Sequence, residues 1–209
     1  MPILLLIRHG ENEYSKTGRL AGRLPGVSLN ERGRQQAAEL ARALTNAPLA
    51  AVYSSPLERA METAQPIAES HKLKIVQVPG LLESNIGEWQ GRSIGRLAMT
   101  KYWRVIQGAP SRARHPGGES FAETQARVAA ALEQIISSHR DRDMVACVFH
   151  ADPIRLATAH FIGLPLDNFQ RLACSTASVT MLGIAQVSAH LIWLNRTPPF
   201  EFPARKKQA

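Results

Sequence analysis

Two uninterrupted apolar runs, residues 3–7 and 144–149, constrain this chain more than any other feature. Each is far shorter than the roughly 20 residues that cross a bilayer as a helix, and neither alternates apolar with polar side chains. Runs of this kind form strands buried on both faces, which belong to largely parallel sheets with helices packed above and below. The intervening sequence supplies those helices. Residues 31–44 carry Ala37, Leu40, Ala41 and Leu44 at helical spacing. A longer helix opens at the capping box Ser120-Phe121-Ala122-Glu123 and places Phe121, Val128, Leu132 and Ile135 on one face. Ser55-Pro56-Leu57-Glu58 has the pattern of a helix start, with Ser as N-cap, Pro first and Glu third. Asp152, ahead of Pro153, is expected to cap a helix that runs to about Ile162 and stops at Gly163. Short strands are expected at 50–53 and 73–78, and two strand-like runs, 178–184 and 187–194, close the pattern. The stretch 81–116 is the least regular and is expected to cover an opening. The class is α/β, a three-layer α/β/α sandwich around a mostly parallel sheet. A length of 209 residues suits one domain over 1–209, with 197–209 expected as a flexible tail.

Both apolar strands run into histidine. Arg8-His9-Gly10 ends the first, and His150 follows the second. Open parallel sheets bind ligands beyond the carboxyl ends of their strands, so both histidines stand where such a fold builds a site. The strand at 50–53 delivers Arg59 to the first turn of the next helix, where free N–H groups and the dipole favour an anion. These residue types suit phosphoryl transfer. Arg8 and Arg59 offer planar, permanently charged forks to a phosphate dianion. A neutral imidazole, His9, is a competent nucleophile near neutral pH without metal activation. His150 can donate to an equatorial oxygen, where transition-state charge collects. Gly10 allows close backbone approach. The leaving alkoxide needs a proton, which a carboxylic acid near the arginines can give. Glu83 is preferred for that task, although composition does not separate it from Glu88 or Glu11.

Composition narrows the partners without naming one. The net charge is +8, from 25 Lys and Arg against 17 Asp and Glu, which favours an anionic partner. The excess is scattered, with Arg205-Lys206-Lys207 as its short cluster, and on charge alone nucleic acid and a phosphorylated metabolite are both candidates. Taken with the site residues above, a small phosphorylated metabolite is expected and nucleic acid is not. The run at residues 3–7 has no basic leader or cleavage site and reads as a strand, and no membrane association is expected. Cys147 and Cys174 read as reduced thiols of a cytoplasmic protein. His-x-x-x-His and Cys-x-x-Cys spacings are missing, and two arginines would repel a divalent cation, so no metal and no cofactor is expected.

Five elements in order resemble the histidine phosphatase superfamily, which includes the cofactor-dependent phosphoglycerate mutases. They are Arg8-His9-Gly10-Glu11, Ser54-Ser55-Pro56-Leu57-Glu58-Arg59-Ala60, Glu83 with Gly87-Glu88-Trp89-Gln90-Gly91, Gly117-Gly118-Glu119-Ser120, and His150. The resemblance covers residues 3–184 and implies a phosphoglycerate mutase-like sheet with one antiparallel strand. It makes His9 the phosphorylated residue and Glu83 the proton donor that later activates water. Arg8, Arg59 and His150 complete the phosphate pocket. By the same resemblance Ser15, Ala21, Gly22 and Ala151 contribute to substrate binding.

The sequence departs from the family where Ser15 replaces a common Asn, where Ala21 replaces Ser or Thr before Gly22, and where Ala151-Asp152 follows the second histidine in place of Gly. Asp152 beside a dianion is unfavourable unless it turns away, as a helix cap would, or meets a cationic part of the substrate. The leading expectation is a metal-independent phosphatase. A phosphomutase with the same phosphohistidine is the alternative, and a non-catalytic phosphate-ligand or nucleic-acid binder is a third reading. A monomer or a homodimer is expected, the run at 187–194 being a candidate edge for pairing.

Overall fold

The structure is a computed structural model that describes residues 2–185, 188–200 and 202. Six strands form one sheet: β1 (Ile3–Arg8), β2 (Leu49–Ser54), β3 (Ile75–Gln77), β4 (Met144–Phe149), β5 (Val179–Ile184) and β6 (Ala189–Arg196). Their spatial order is β3-β2-β4-β1-β5-β6. The β1–β4, β2–β4 and β2–β3 pairs are parallel, whereas β5 runs antiparallel to both β1 and β6. Among these strands only β5 is reversed, as the resemblance implies.

The two apolar runs are the centre of this sheet, and alternate side chains feed opposite cores. Leu5 and Ile7 of β1 join Ala146 and Val148 of β4 on one face. Helices α2 (Glu31–Leu44) and α3 (Glu58–His71) cover it with Leu40, Leu44, Ala64 and Ile67. Leu4 and Leu6 join Val145, Cys147 and Phe149 on the other face. There α6 (Phe121–Ser137) and α7 (Ala151–Phe161) contribute Val128, Leu132, Ile154 and Ala157. The capping box that opens α6 is present, with Ser120 accepting from the Glu123 N–H and Glu123 accepting from the Ser120 N–H. Together these close two otherwise unpaired donors, a contribution of about 1 kcal/mol.

The stretch 81–116 is built from short pieces: α4 (Ile94–Ala98), α5 (Lys101–Gly108) and three 3-10 turns at or near its ends. They rest on a third apolar cluster that includes Trp89, Leu97, Ile106, Phe121 and Phe169. One further short helix, α1 (Glu13–Lys16), follows β1. The second closing strand spans Ala189–Arg196, and Val187, the first residue of the run expected there, lies outside the described residues. Of the tail expected over 197–209, Phe200 is buried against Trp193, and Phe202 packs on the same ring. Positions 201 and 203–209 lie outside the described residues.

Candidate active site

Strand register brings the histidines together. Arg8 pairs with Phe149 and Ser54 with Val148, so His9, His150 and Ser55 leave adjacent strands β1, β4 and β2 at one level. The rings of His9 and His150 are 5.3 Å apart, centroid to centroid, and both residues are buried. The His9 backbone is fixed on both sides, its N–H donating to Phe149 and its carbonyl accepting from Ala177. Nδ1 of His9 lies 2.7 Å from the Gly10 carbonyl, so that nitrogen carries the proton and Nε2 keeps its lone pair. Burial, followed by the charges of Arg59 and Arg8, holds the His9 pKa well below its usual range, which keeps the ring neutral at pH 7.

Arg59 sits in the first turn of α3 and is 1% exposed. Its Nη2 donates to the Gly22 carbonyl at 2.8 Å, and its Nε lies 3.4 Å from His9 Nε2. Gly22 has φ +55, and a Cβ there would stand 2.7 Å from Gln90 Cγ and 2.8 Å from Ile86 Cγ1. Only glycine lets this turn present its carbonyl to Arg59. Gly10 makes its close approach to Gly33 of α2, whose carbonyl oxygen would lie 2.6 Å from an added Cβ. Arg8 is anchored through Nη1 to the Cys174 carbonyl at 2.7 Å. Three buried donors, Arg8 Nε, Arg59 Nη1 and His150 Nδ1, have no hydrogen-bond partner within the described residues. Buried donors of this kind are costly unless a ligand meets them, and a tetrahedral oxyanion has the acceptors to do so.

Glu83 reaches the same place from the loop after β3. Its Oε1 accepts from the Ser84 N–H, and its Oε2 is 4.0 Å from His150 Nδ1. Burial lifts its pKa to about 7, with the like charge of Asp152 adding to the rise and Arg59 and Arg8 opposing it. The Glu83 carbonyl is gripped by Arg23 Nε at 2.7 Å and Arg127 Nη2 at 3.4 Å, and Glu119 accepts from both guanidinium groups. Glu88 is exposed, and neither it nor Glu11 lines the cavity that contains Glu83.

That cavity, about 400 Å³ in volume, is lined by Arg8, His9, Arg59 and Glu83. Ser15, Ala21, Gly22 and Ala151 also line it. The Ser15 hydroxyl donates to the Asn12 carbonyl and accepts from the Asn12 N–H, closing the cap of α1. Two helix-start readings are corrected. Ser55 is not the N-cap of α3, which is Leu57; its Oγ lies 2.8 Å from His150 Nε2 and sets that ring. Asp152 makes no side-chain cap on α7, whose N-cap is His150; it pairs with Arg155 at 3.2 Å and lines the cavity. Sequence reasoning missed Ser55, Asn12, Trp103 and Arg155 as parts of the site. No group of three His, Cys, Asp or Glu side chains among the described residues is arranged to hold a metal ion. No described helix is long and apolar enough to cross a membrane.

A doubly covered sheet with two histidines and an arginine at its strand ends and a second arginine in the first turn of the next helix is the architecture of a phosphate-handling α/β enzyme. The comparisons agree. The sequence profile of the histidine phosphatase superfamily (branch 1) matches residues 4–197, and the chain belongs to that superfamily. It is 33% identical over 197 residues to phosphoserine phosphatase 1 of Hydrogenobacter thermophilus, covering 93% of this chain and 92% of the relative. A 2,3-bisphosphoglycerate-dependent phosphoglycerate mutase of Thermoplasma acidophilum is 31% identical, covering 88% of each chain. The mycobacterial glucosyl-3-phosphoglycerate phosphatase, solved with VO3, superposes with a TM-score of 0.86 at 27% identity, covering 93% of this chain and 99% of that one. The two phosphatases among these relatives are phosphoric monoester hydrolases, the enzyme class expected from the sequence.

Proposed function

We propose that this protein is a phosphatase for small phosphate monoesters that works through phosphohistidine on His9. The observation that carries this reading is the meeting of His9, Arg8, Arg59 and Glu83 in one cavity, with the buried, unpartnered His150 Nδ1 directly behind them, 4.0 Å from Glu83 Oε2. Nε2 attacks phosphorus, the P–O bond to the leaving group breaks, and Glu83 gives its proton to the departing alkoxide. The arginines and His150 hold the equatorial oxygens as charge builds on them. Water then attacks the phosphohistidine, Glu83 as carboxylate takes its proton, and the P–N electrons return to His9 as inorganic phosphate leaves. A pKa of about 7 suits both halves of that cycle.

The phosphomutase reading is favoured by the Thermoplasma relative. It requires cationic side chains to hold a second anionic group of the substrate. Arg92, Arg96, Lys101, Arg104, Arg112 and Arg114, the basic residues of the covering segment, stand outside the cavity lining, but Arg19 and Arg155 line it, so the preference for hydrolysis rests on the phosphatase relatives. His9→Ala tests the nucleophile: turnover of p-nitrophenyl phosphate is expected to fall by at least about a thousandfold. Wild-type activity in that variant would refute the assignment.

A further inference from the structure

Asp152 is the feature of the cavity that phosphate chemistry alone leaves unused. The helix cap that would give it a bland role is not made. Its carboxylate lines the cavity that holds Glu83, Arg8 and Arg59, and its charge opposes the ionisation of Glu83. It also works against an incoming phosphate dianion, and against any leaving group that carries only negative charge. Its hydrogen-bond partner among the described residues is Arg155, one turn on along α7, with Nη1 3.2 Å from Oδ1. Arg155 lines the same cavity, and its buried Nε has no hydrogen-bond partner within the described residues.

We propose that Asp152 and Arg155 form a subsite for the zwitterionic head of a phosphorylated α-amino acid, with Asp152 taking the ammonium and Arg155 the carboxylate. The inference rests on the phosphatase reading and narrows its substrate class. An α-amino acid carries one cation and one carboxylate on a single carbon, and the wall presents one carboxylate and one guanidinium side by side. An ammonium against Asp152 offsets the repulsion that the carboxylate otherwise brings to the phosphate pocket. The pair also differs from a surface ion pair. Arg34 and Glu31 stand at the same helical spacing with side chains 59% and 74% exposed, where such contacts contribute little. Asp152 and Arg155 are 35% and 26% exposed, so their charges are partly desolvated and a matching ligand gains more from them. A cavity of about 400 Å³ is small among ligand sites, which suits a phosphate joined to a compact amino acid rather than to a sugar chain.

The discriminating pair is L-phosphoserine and 3-phosphoglycerate, which share phosphate, carboxylate and chain length and differ in ammonium against hydroxyl. We expect the wild-type protein to favour L-phosphoserine in kcat/KM by at least about tenfold. Asp152→Asn, which keeps the shape and removes the charge, should bring that ratio close to one. Because the ratio is taken within one protein at one pH, changes in Glu83 affect both substrates and cancel. A wild-type ratio near or below one overturns the subsite without recourse to any variant, and so does a ratio that Asp152→Asn leaves intact. p-Nitrophenyl phosphate separates the two levels of the argument. If it is hydrolysed without discrimination in the pair, the subsite alone fails; if no ester is hydrolysed, the phosphatase reading fails and the subsite with it.

Discussion

Burial and charge divide the proton chemistry between three side chains. His9 is pushed toward its neutral, nucleophilic form by burial and two arginines, and His150 in the same direction by burial and Arg59. Glu83 is pushed the other way, toward the protonated acid, with a pKa of about 7. In the proposed first step the acid form is required, so kcat/KM falls as pH rises through about 7 and Glu83 loses its proton. Removing the neighbouring like charge lowers the Glu83 pKa, so the alkaline limb of Asp152→Asn should move to lower pH than in the wild type. A pH profile of p-nitrophenyl phosphate hydrolysis for both proteins checks this, and coincident alkaline limbs would contradict it. Sequence made the charged residues legible because their types are rare at strand ends and their chemistry is narrow. It misread Ser55 because Ser-Pro-x-Glu is a sound helix-start pattern. Nothing local reveals that the hydroxyl instead meets a histidine 95 positions later.

Glu119, just ahead of α6, ties two elements to the acid. Its carboxylate accepts from Arg23 and Arg127 and from the N–H of Asn85, and both arginines reach the Glu83 carbonyl. Hydrogen bonds and charge from Arg127, the Asn85 N–H and Arg23 outweigh burial and hold the Glu119 pKa at about 2, below the ordinary 4.5. A depressed carboxylate pKa contributes stability that is present above about pH 4.5 and is lost as pH falls toward 2. Its size is on the order of 3 kcal/mol at neutral pH. Glu119→Gln is expected to lower the urea midpoint at pH 7, and the gap from wild type should narrow between pH 4.5 and 2. Activity should fall through kcat more than KM, because Glu83 is displaced while the phosphate donors stay. A pH-independent stability gap would contradict the ion-pair account. Element boundaries were legible where the apolar period was clear, as for α2, or where a capping box marked the start, as for α6. The covering segment was not, since α4 and α5 are too short for period to register and pack on Trp89, Phe121 and Phe169 from separate stretches.

The sheet as a whole makes the site. Parallel pairing of β1 with β4 and of β4 with β2 places three strand ends side by side, and helices on both faces seal the pocket floor from water. The doubly covered sheet was legible because residues 3–7 and Met144–Phe149 have no polar face to turn outward. The register that sets His9 beside His150 was not, because it depends on pairing across 141 positions of separation. The covalent intermediate is the most direct test of the whole arrangement. Brief mixing of the protein with excess phosphate monoester, alkaline quenching and peptide mass analysis should find one acid-labile phosphoryl group on His9, at Nε2. A phosphoryl group on another residue, or none on rapid quenching while substrate is being turned over, would contradict the account.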